Sequence, residues 1–560
     1  MELLKAARTR DLRGIEKELS HNADVNMIDE TGYTALMWAV KNRQTEAVTL
    51  LFDKSDANAT LGVFDQDMFD LAGCDKEILA ILQNHLQEHI EHLMNSIPEL
   101  CGSMMELRQM SEHLLIRLQA ARIQLQQTKD TTQASSMGFY SIIKTFHSLL
   151  LQHSKKLALE RLVSARIVAD GVRQLHSNLD ALLDQHGLEL HSPLQHRDWQ
   201  GQWDKDEGDA YKHIVAILEK DVEGVPRELN STTRQENVLK LLRYESEEHG
   251  NYYDTTMMNI FKSAQLKLVR FSGLAVPEVP NWFLPEYEVQ RHPTPFAHGS
   301  FGNVFKGTWL GSQVVVKCVD PKTEEDKRTF RREARIWQRA RHRHVITFFG
   351  ACDQGSPWFF VCEEAANGNL KNYLYHQKNK GRSLAWRKLY EAALGLHFLH
   401  QRQIIHCDLK CNQILVSAEG VAMLTDFGLS FMSVDSRPLT PPGGAVRWKA
   451  PECLNNSNHV PTKESDVYSF GMCVVEAVTG EYPWGNCPDP AVVFQMKRGL
   501  VFPRPKAFVD NEQWQFVQAL CAPDPSKRLK MPDAIHLLKK FADQEQMQEW
   551  SSKAEDHEFD

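Results

Sequence analysis

Several short stretches in the second half of this 560-residue chain carry side chains that could do chemistry together. The first reads Phe296-Ala-His-Gly-Ser-Phe-Gly-Asn-Val304. Glycines at 299 and 302 let a hairpin tip bring backbone N–H groups close to phosphates, because no Cβ stands in the way. Beyond Gly302, Lys317 ends the apolar strand Val314-Val-Val-Lys317. A buried Lys needs an anionic partner, and Glu333 on the amphipathic run from Phe330 to Arg341 can supply it. Next comes His406-Cys-Asp-Leu-Lys-Cys-Asn-Gln-Ile-Leu-Val416, then Asp426-Phe-Gly428, then Ala450-Pro-Glu452. One carboxylate to orient a hydroxyl, here Asp408, and another to hold Mg²⁺, here Asp426, is what phosphoryl transfer asks of a protein.

Such residues need a scaffold, and the length gives a prior of three or four domains at about 150 residues each. Hydrophobic residues make up 42% and charged residues 24%, which excludes a mostly disordered or collagen-like chain. A net charge of −9 argues against nucleic acid or an anionic membrane as the main partner. Eleven cysteines without any Cys-x-x-Cys pair suit reduced thiols in the cytoplasm better than a disulfide framework. No window approaches the run of about 18 apolar residues that a transmembrane span needs, and the start of the chain does not read as a secretory signal.

Positions 1–85 repeat. Ala6, Ala39 and Ala72 are evenly spaced at 33, as are Leu3, Leu36 and Phe69, and Ile15, Val48 and Ile81. That period is the ankyrin length, and Asp29-Glu-Thr-Gly-Tyr-Thr-Ala-Leu-Met-Trp-Ala resembles the ankyrin turn and first helix, with Ala35 and Met37 departing from its pattern. The bland alternative is a plain array of helical hairpins. Positions 86–270 have helical periodicity, with a break near Pro98 to Gly102 and further helices over Phe139 to Leu183, Ala210 to Val222 and Asn237 to Leu242. A helical bundle is the default there, with a coiled-coil dimer as the alternative; His85 and His89 read as helix surface, not as a metal site. Positions 271–295 are a Pro-rich linker whose Trp282, Phe283, Leu284 and Tyr287 should pack on the domain after it. Positions 296–542 hold the chemistry, and the acidic stretch 543–560 should be a frayed or disordered tail.

The ordered motifs and their separations in 296–542 resemble a eukaryotic protein kinase catalytic domain. The resemblance covers nearly half of the chain. It implies a multidomain architecture: an α-helical ankyrin solenoid and helical bundle followed by an α+β two-lobed protein kinase fold. It also implies ATP and Mg²⁺ as cofactors and protein substrates, with the repeats choosing a further protein partner. By similarity, Asp408 would be the catalytic base, Lys410 would steady the γ-phosphate, and Lys317 would contact the α- and β-phosphates while pairing with Glu333. Ala297, His298, Gly299, Ser300, Phe301, Gly302 and Val304 would cover the nucleotide. Glu363 and Ala365, in the hinge Val361 to Ala365, would hold adenine behind Cys362 as gatekeeper. Asp426 and Gln413 would ligate metal, Glu452 with Arg528 would brace the C-lobe, and Asp466 would brace the catalytic loop.

Lys410 is the serine/threonine pattern, and Gly307-Thr-Trp309, Phe349-Gly-Ala-Cys352 and Trp448-Lys-Ala-Pro-Glu452 resemble the tyrosine-kinase-like group. Some positions depart from the family pattern. Ala297 replaces the first glycine, Cys407 the Arg before the catalytic Asp, Ala445 the Thr of the substrate loop, and Gln413 the metal-binding Asn. Cys407 reads better as a small apolar residue than as a redox centre. The leading reading is a serine/threonine kinase. A pseudokinase scaffold is the alternative, and a third reading makes the repeats the functional centre with the kinase fold as a regulated passenger.

Overall fold

The computed structural model describes residues 2–21, 23–27, 29, 33–53, 68–104, 107–127, 133–188, 229, 231–292, 294–299, 302–426, 431–432, 446–455, 460–498 and 502–557. The helix expected over 210–222 lies outside them. The chain divides into two compact units, Met1–Val279 and Pro280–Asp560.

The first unit begins with three helix pairs: α1 (Glu2–Thr9) with α2 (Leu12–Ser20), α3 (Ala35–Lys41) with α4 (Thr45–Asp53), and α5 (Met68–Ala72) with α6 (Lys76–Ser103). The leading helices start at 2, 35 and 68, and two of the repeating tracks are buried throughout: Ala6, Ala39, Ala72 and Leu3, Leu36, Phe69. The third track holds for Ile15 and Val48 and then slips. Because α6 starts at Lys76, two places early for the period, Ile78 and Leu82 reach the core and Ile81 is half-buried. Caps set the helix starts. Asp11 accepts from Gly14 N at 3.0 Å, Thr34 from Met37 N at 3.2 Å, and Asp75 from Glu77 and Ile78 N at 3.2 Å.

Two sequence expectations need correction here. Helix α6 does not break at Pro98 but runs on to Ser103; Ile90, Met94, Ile97 and Cys101 stay buried across the proline, so packing outweighs the one hydrogen bond it removes. The boundary between 85 and 86 therefore falls inside a helix. One apolar core runs from Leu3 through the bundle helices α7 (Arg108–Gln127), α8 (Gln133–Ser154) and α9 (Ala158–Gln185) as far as Leu183. The stretch read as one helical run, 139–183, is split between α8 and α9. Two more helices, α10 (Thr232–Glu248) and α11 (Thr255–Ser272), follow, with α10 tied to α9 by Arg166–Glu245 at 2.7 Å and Arg234–Glu160 at 2.8 Å.

The second unit opens with a sheet of β1 (Val289–Arg291), β2 (Ala297–Gly299), β3 (Gly302–Trp309), β4 (Ser312–Val319), β5 (Phe348–Cys352) and β6 (Trp358–Glu363). Its antiparallel order is β1-β3-β4-β6-β5, with β2 also on β3, and α12 (Glu324–Arg339) lies between β4 and β5 in the chain. The Pro-rich segment is no tether at its end. Trp282, Phe283 and Leu284 are buried, and Leu284 N donates to Ala351 O while Ala351 N donates to Trp282 O, both at 2.8 Å, which covers the edge of β5. The unit thus starts at Pro280, ahead of the expected 296.

The helical part follows as α13 (Leu370–Asn379), α14 (Ala385–Gln401), β7 (Ile404–Ile405), β8 (Ile414–Val416), β9 (Ala422–Leu424), β10 (Phe431–Met432), α15 (Pro451–Asn455), α16 (Lys463–Thr479), α17 (Asp489–Lys497), α18 (Asn511–Leu520) and α19 (Met531–His557). Helix α19 corrects the frayed tail expected from 543. Glu545 is buried, and its carboxylate accepts from Ser383 Oγ at 2.9 Å, Trp386 N at 3.3 Å and Arg387 N at 3.1 Å. These are donors at the start of α14, whose own N-cap residue, Leu384, has no side chain able to accept.

Candidate active site

Strand β4 places Lys317. It is paired with Val304 on β3 and Phe360 on β6, and residues directly opposite in a ladder share a face, so Lys317 and Val304 project to the same side of the sheet. The β2–β3 hairpin pairs Ala297 with Val304 and Gly299 with Gly302. A Cβ on Gly302, at φ 150°, would stand 2.0 Å from Cys318 O, so only glycine brings the hairpin this close to β4. The backbones of Ala297, His298 and Gly299 lie in β2; Ser300 and Phe301 are outside the described residues.

Helix α12, capped by Thr323, buries Phe330, Ala334 and Trp337, and the same face carries Glu333 inward. Lys317 Nζ stands 3.9 Å from Glu333 Oε1 and 3.0 Å from Asp426 Oδ1. The tighter bond goes to Asp426, and among the described residues Glu333 Oε1 accepts no hydrogen bond. Burial pushes the Glu333 carboxyl up to about 7, with the Asp426 charge adding to the rise and Lys317 opposing it. For Lys317 burial works downward, but the carboxylates of Asp426 and Glu333 outweigh it and raise the ammonium to about 12. Asp426 is held below the usual carboxylate range: burial raises it, and Lys317, His406 and the Gln413 hydrogen bond more than offset that.

The loop from β7 to β8 presents the second group. Amides of His406 and Cys407 donate to the two oxygens of Asp466 at 2.8 and 3.0 Å, and His400 Nε2 lies 3.0 Å from the same carboxylate. That clamp holds Cys407 at φ 71° using only backbone, so the loop forms without an Arg side chain there. Burial pushes the Cys407 thiol well above its ordinary value, consistent with an inert residue. Lys410 Nζ is 2.9 Å from Asp408 Oδ2. His406 Nε2 meets Thr425 O at 2.8 Å, and Gln413 Nε2 donates to Asp426 Oδ2 at 2.7 Å, so both oxygens of Asp426, itself at φ 67°, are engaged. Phe427, Gly428 and Ala445 lie outside the described residues.

The hinge segment follows β6. Glu363 exchanges bonds with Thr347, N to O at 3.0 Å and Oε2 from Thr347 N at 3.2 Å, while Ala365 O accepts from Gly368 N at 3.0 Å. Cys362 is buried, and its thiol is pushed up to about 12. Arg528 makes two bonds to Glu452, at 2.6 and 2.7 Å.

Two features escaped the motif reading. Lys449, half-buried, feels the charge of Asp408 and so adds a second cation beside it. Lys306 reaches from β3 to Glu364 at 3.0 Å, joining the sheet to the hinge. Both residues sit in quoted motifs, but nothing in their spacing says which way they turn.

The structure thus gathers Lys317, Glu333, Asp426 and Gln413 around one carboxylate, with Asp408 and Lys410 on the loop clamped by Asp466. Residues 292–538 match the family model described as protein tyrosine and serine/threonine kinase. Similar proteins include the serine/threonine-protein kinase STY17 of Arabidopsis thaliana, 28% identical over 274 residues, 47% of each chain. The probable serine/threonine-protein kinase drkB of Dictyostelium discoideum is 34% identical over 43% of this chain and 35% of its own length. The tyrosine-protein kinase Src64B of Drosophila melanogaster is 28% identical over 54% of this chain and 59% of its own. The chain spans about half the length of the first of these relatives, 47% of STY17. Over residues 292–538 it carries a protein kinase domain of the tyrosine and serine/threonine kinase family.

Proposed function

We propose that the chain is a serine/threonine protein kinase of the tyrosine-kinase-like group, acting in the cytoplasm on protein hydroxyls, with ankyrin repeats that select a partner. The observation that carries the catalytic part is Asp426 held at 3.0 Å by Lys317 and at 2.7 Å by Gln413, in the same unit as the Asp408–Lys410 pair. ATP would supply the γ-phosphoryl group and Mg²⁺ would neutralise its charge. Asp408 takes the proton of the acceptor hydroxyl, and Lys410, 2.9 Å from that carboxylate, places a positive charge where the phosphoryl group arrives. Lys317 orients the phosphates while Glu333 holds its ammonium in place. The Gly299–Gly302 hairpin offers backbone N–H groups from above, and Glu363 and Ala365 hold the adenine edge.

The residues present fit a divalent cation. Adjacent ligands on an octahedral Mg²⁺, each about 2.0–2.1 Å from it, stand about 2.9 Å apart. The ends of Asp426 and Gln413 meet at nearly that spacing, so the extra methylene of Gln is absorbed by the loop. Gln413 would join Asp426 as a ligand after turning its amide to present oxygen. Incorporation of radiolabelled phosphate into a protein substrate tests the whole reading: transfer by the wild-type chain that Asp408→Asn abolishes supports it, and no transfer by either sinks it.

A pseudokinase scaffold is the second reading, favoured by the same Gln413 bond, which occupies Asp426 with a donor instead of a metal. Gln413→Asn should raise turnover and lower the Mg²⁺ concentration needed. Identical curves of rate against Mg²⁺ would make Gln413 a competent ligand already, and silence in both proteins would favour the scaffold. For the repeats, support comes from leading helices that start at regular intervals, at 2, 35 and 68. Cytoplasmic placement draws on the eleven cysteines, all free thiols. Among the described residues no helix is long and apolar enough to cross a membrane.

A further inference from the structure

Two arginines of the first unit sit where the backbone favours glycine. Arg10 has φ 62° and Arg43 φ 54°, at equivalent places of successive repeats, in the turns that join α1 to α2 and α3 to α4. Residues with a Cβ resist this left-handed conformation by roughly 1–2 kcal/mol, and glycine does not. Strain kept at the same point of two successive repeats indicates a use for the side chain.

Their surroundings say what use. The Asn42 side-chain amide donates to Arg8 O at 3.2 Å and the Gln44 amide to Ala7 O at 2.9 Å, so the second turn lies against the end of α1. Arg8, Arg10, Lys41 and Arg43, all exposed, are thereby gathered at one end of the two pairs. Favourable interaction with a helix C-terminus accounts for Arg8 and Lys41, which lie in last turns, but not for Arg10 and Arg43 beyond them. The nearest carboxylate in sequence, Asp11, is committed to capping α2. Among the described residues Arg8, Arg10 and Arg43 make no ion pair. Lys41 lies 4.4 Å from the ring centre of Tyr33 and 5.1 Å from that of the half-buried Trp38, leaving part of an indole beside the cations.

We propose that this end of the first two repeats docks an acidic polypeptide segment, with Arg10 and Arg43 reading its carboxylates and Trp38 giving an apolar contact. Packed helices stand about 8–10 Å apart and an extended chain advances about 3.3 Å per residue, so carboxylates at every third position would meet successive repeats. The chain's net charge of −9 repels a long polyanion such as a nucleic acid. A short acidic segment responds mainly to charges within a Debye length of about 8 Å. The inference deepens the partner-binding reading of the repeats and rests on it, not on phosphoryl transfer.

The test is fluorescence anisotropy with the full-length chain and three labelled probes: a short peptide with Glu at every third position, the same peptide with Gln, and a single-stranded oligonucleotide of equal charge. The Glu peptide should bind, weaken with added salt, and exceed both other probes by about tenfold or more. R10G/R43G removes both charges while supplying the residue the backbone prefers. It should bind about tenfold more weakly with no fall in melting temperature, and R10K/R43K should recover most of the affinity. Equal binding of Glu and Gln peptides, unchanged affinity in R10G/R43G, preference for the oligonucleotide, or no saturable binding by the wild type would each overturn the proposal. Phosphoryl transfer should be the same in all these variants, so a chain that transfers no phosphate would count against the kinase reading alone.

Discussion

The two units store their information differently. In the second, function rests on a handful of side chains that converge on Asp426, and each is held by a specific bond: Lys317 at 3.0 Å, Gln413 at 2.7 Å, the catalytic loop through Asp466. In the first, small contacts repeat along a core that runs from Leu3 to Leu183, and no described side chain there is indispensable to chemistry. Substitutions should therefore separate cleanly. A change at the convergent site should remove rate and leave the fold, whereas a change in the repeating core should remove stability and leave the chemistry.

The largest effect expected is that of Lys317→Met. Loss of a preorganised electrostatic contact typically costs about 10²–10³ in rate. The fold should survive because Glu333, already raised to about 7, can take a proton once its cation is gone. Retention of more than about a tenth of the wild-type rate would break the first half of the comparison. Its counterpart is Leu36→Ala in the centre of the repeats, where the side chain is fully buried. A loss of about 2–5 kcal/mol in denaturant unfolding, with unchanged phosphoryl transfer per folded molecule, is expected. A loss of transfer well beyond the loss of folded protein would show that the units are not separable in this way.

Glu545→Ala sharpens the comparison inside the second unit, since it is a structural position far from Asp408 in sequence. Removing the acceptor leaves three donors at the start of α14 unsatisfied and should cost about 1–3 kcal/mol, read as a lower melting temperature at constant turnover. A neutral substitution would return α19 beyond 542 to the status of a dispensable tail.

The smallest effect concerns pH. Glu333 titrates near 7, far above its ordinary 4.5, so it is neutral below 7 and charged above. The charged form holds Lys317 for the phosphates, and kcat/KM should rise with pH through about 7. Stability should move the other way. Between about 4.5 and 7 the folded chain binds the proton that the unfolded chain has lost, so this carboxyl's contribution is complete below the unfolded value and is lost as pH rises through the folded one. Glu333→Gln should flatten both profiles; a rate limb that persists near 7 in that variant would assign it to another group.

Much of this was legible in the sequence where the signal is local. The offsets among Lys317, Asp408 and Asp426 point to phosphoryl transfer without any tertiary information, because a strand end, a loop and a turn are short-range features. The repeat period gave the helix pairs for the same reason. Sequence reading failed where burial outvoted a local rule. Pro98 reads as a break, yet the buried stripe of α6 carries the helix past it. An acidic stretch reads as a tail, yet Glu545 is an acceptor that α14 lacks. The Pro-rich segment reads as a linker, and its Trp282 and Leu284 complete the edge of β5.

The sequence by itself determined which residues could meet: the glycines of the hairpin, the carboxylates and lysines of the site, the apolar tracks of the repeats. Their types and spacings follow from backbone geometry that any chain obeys. Only the tertiary structure decided how they are paired. That Lys317 leans to Asp426 instead of Glu333, that Gln413 turns its amide onto the same carboxylate, and that Arg10 and Arg43 stand together with no described ion pair depend on which elements pack side by side. Burial then fixes the charges, because a group's proton affinity depends on the solvent and partners that the fold leaves it.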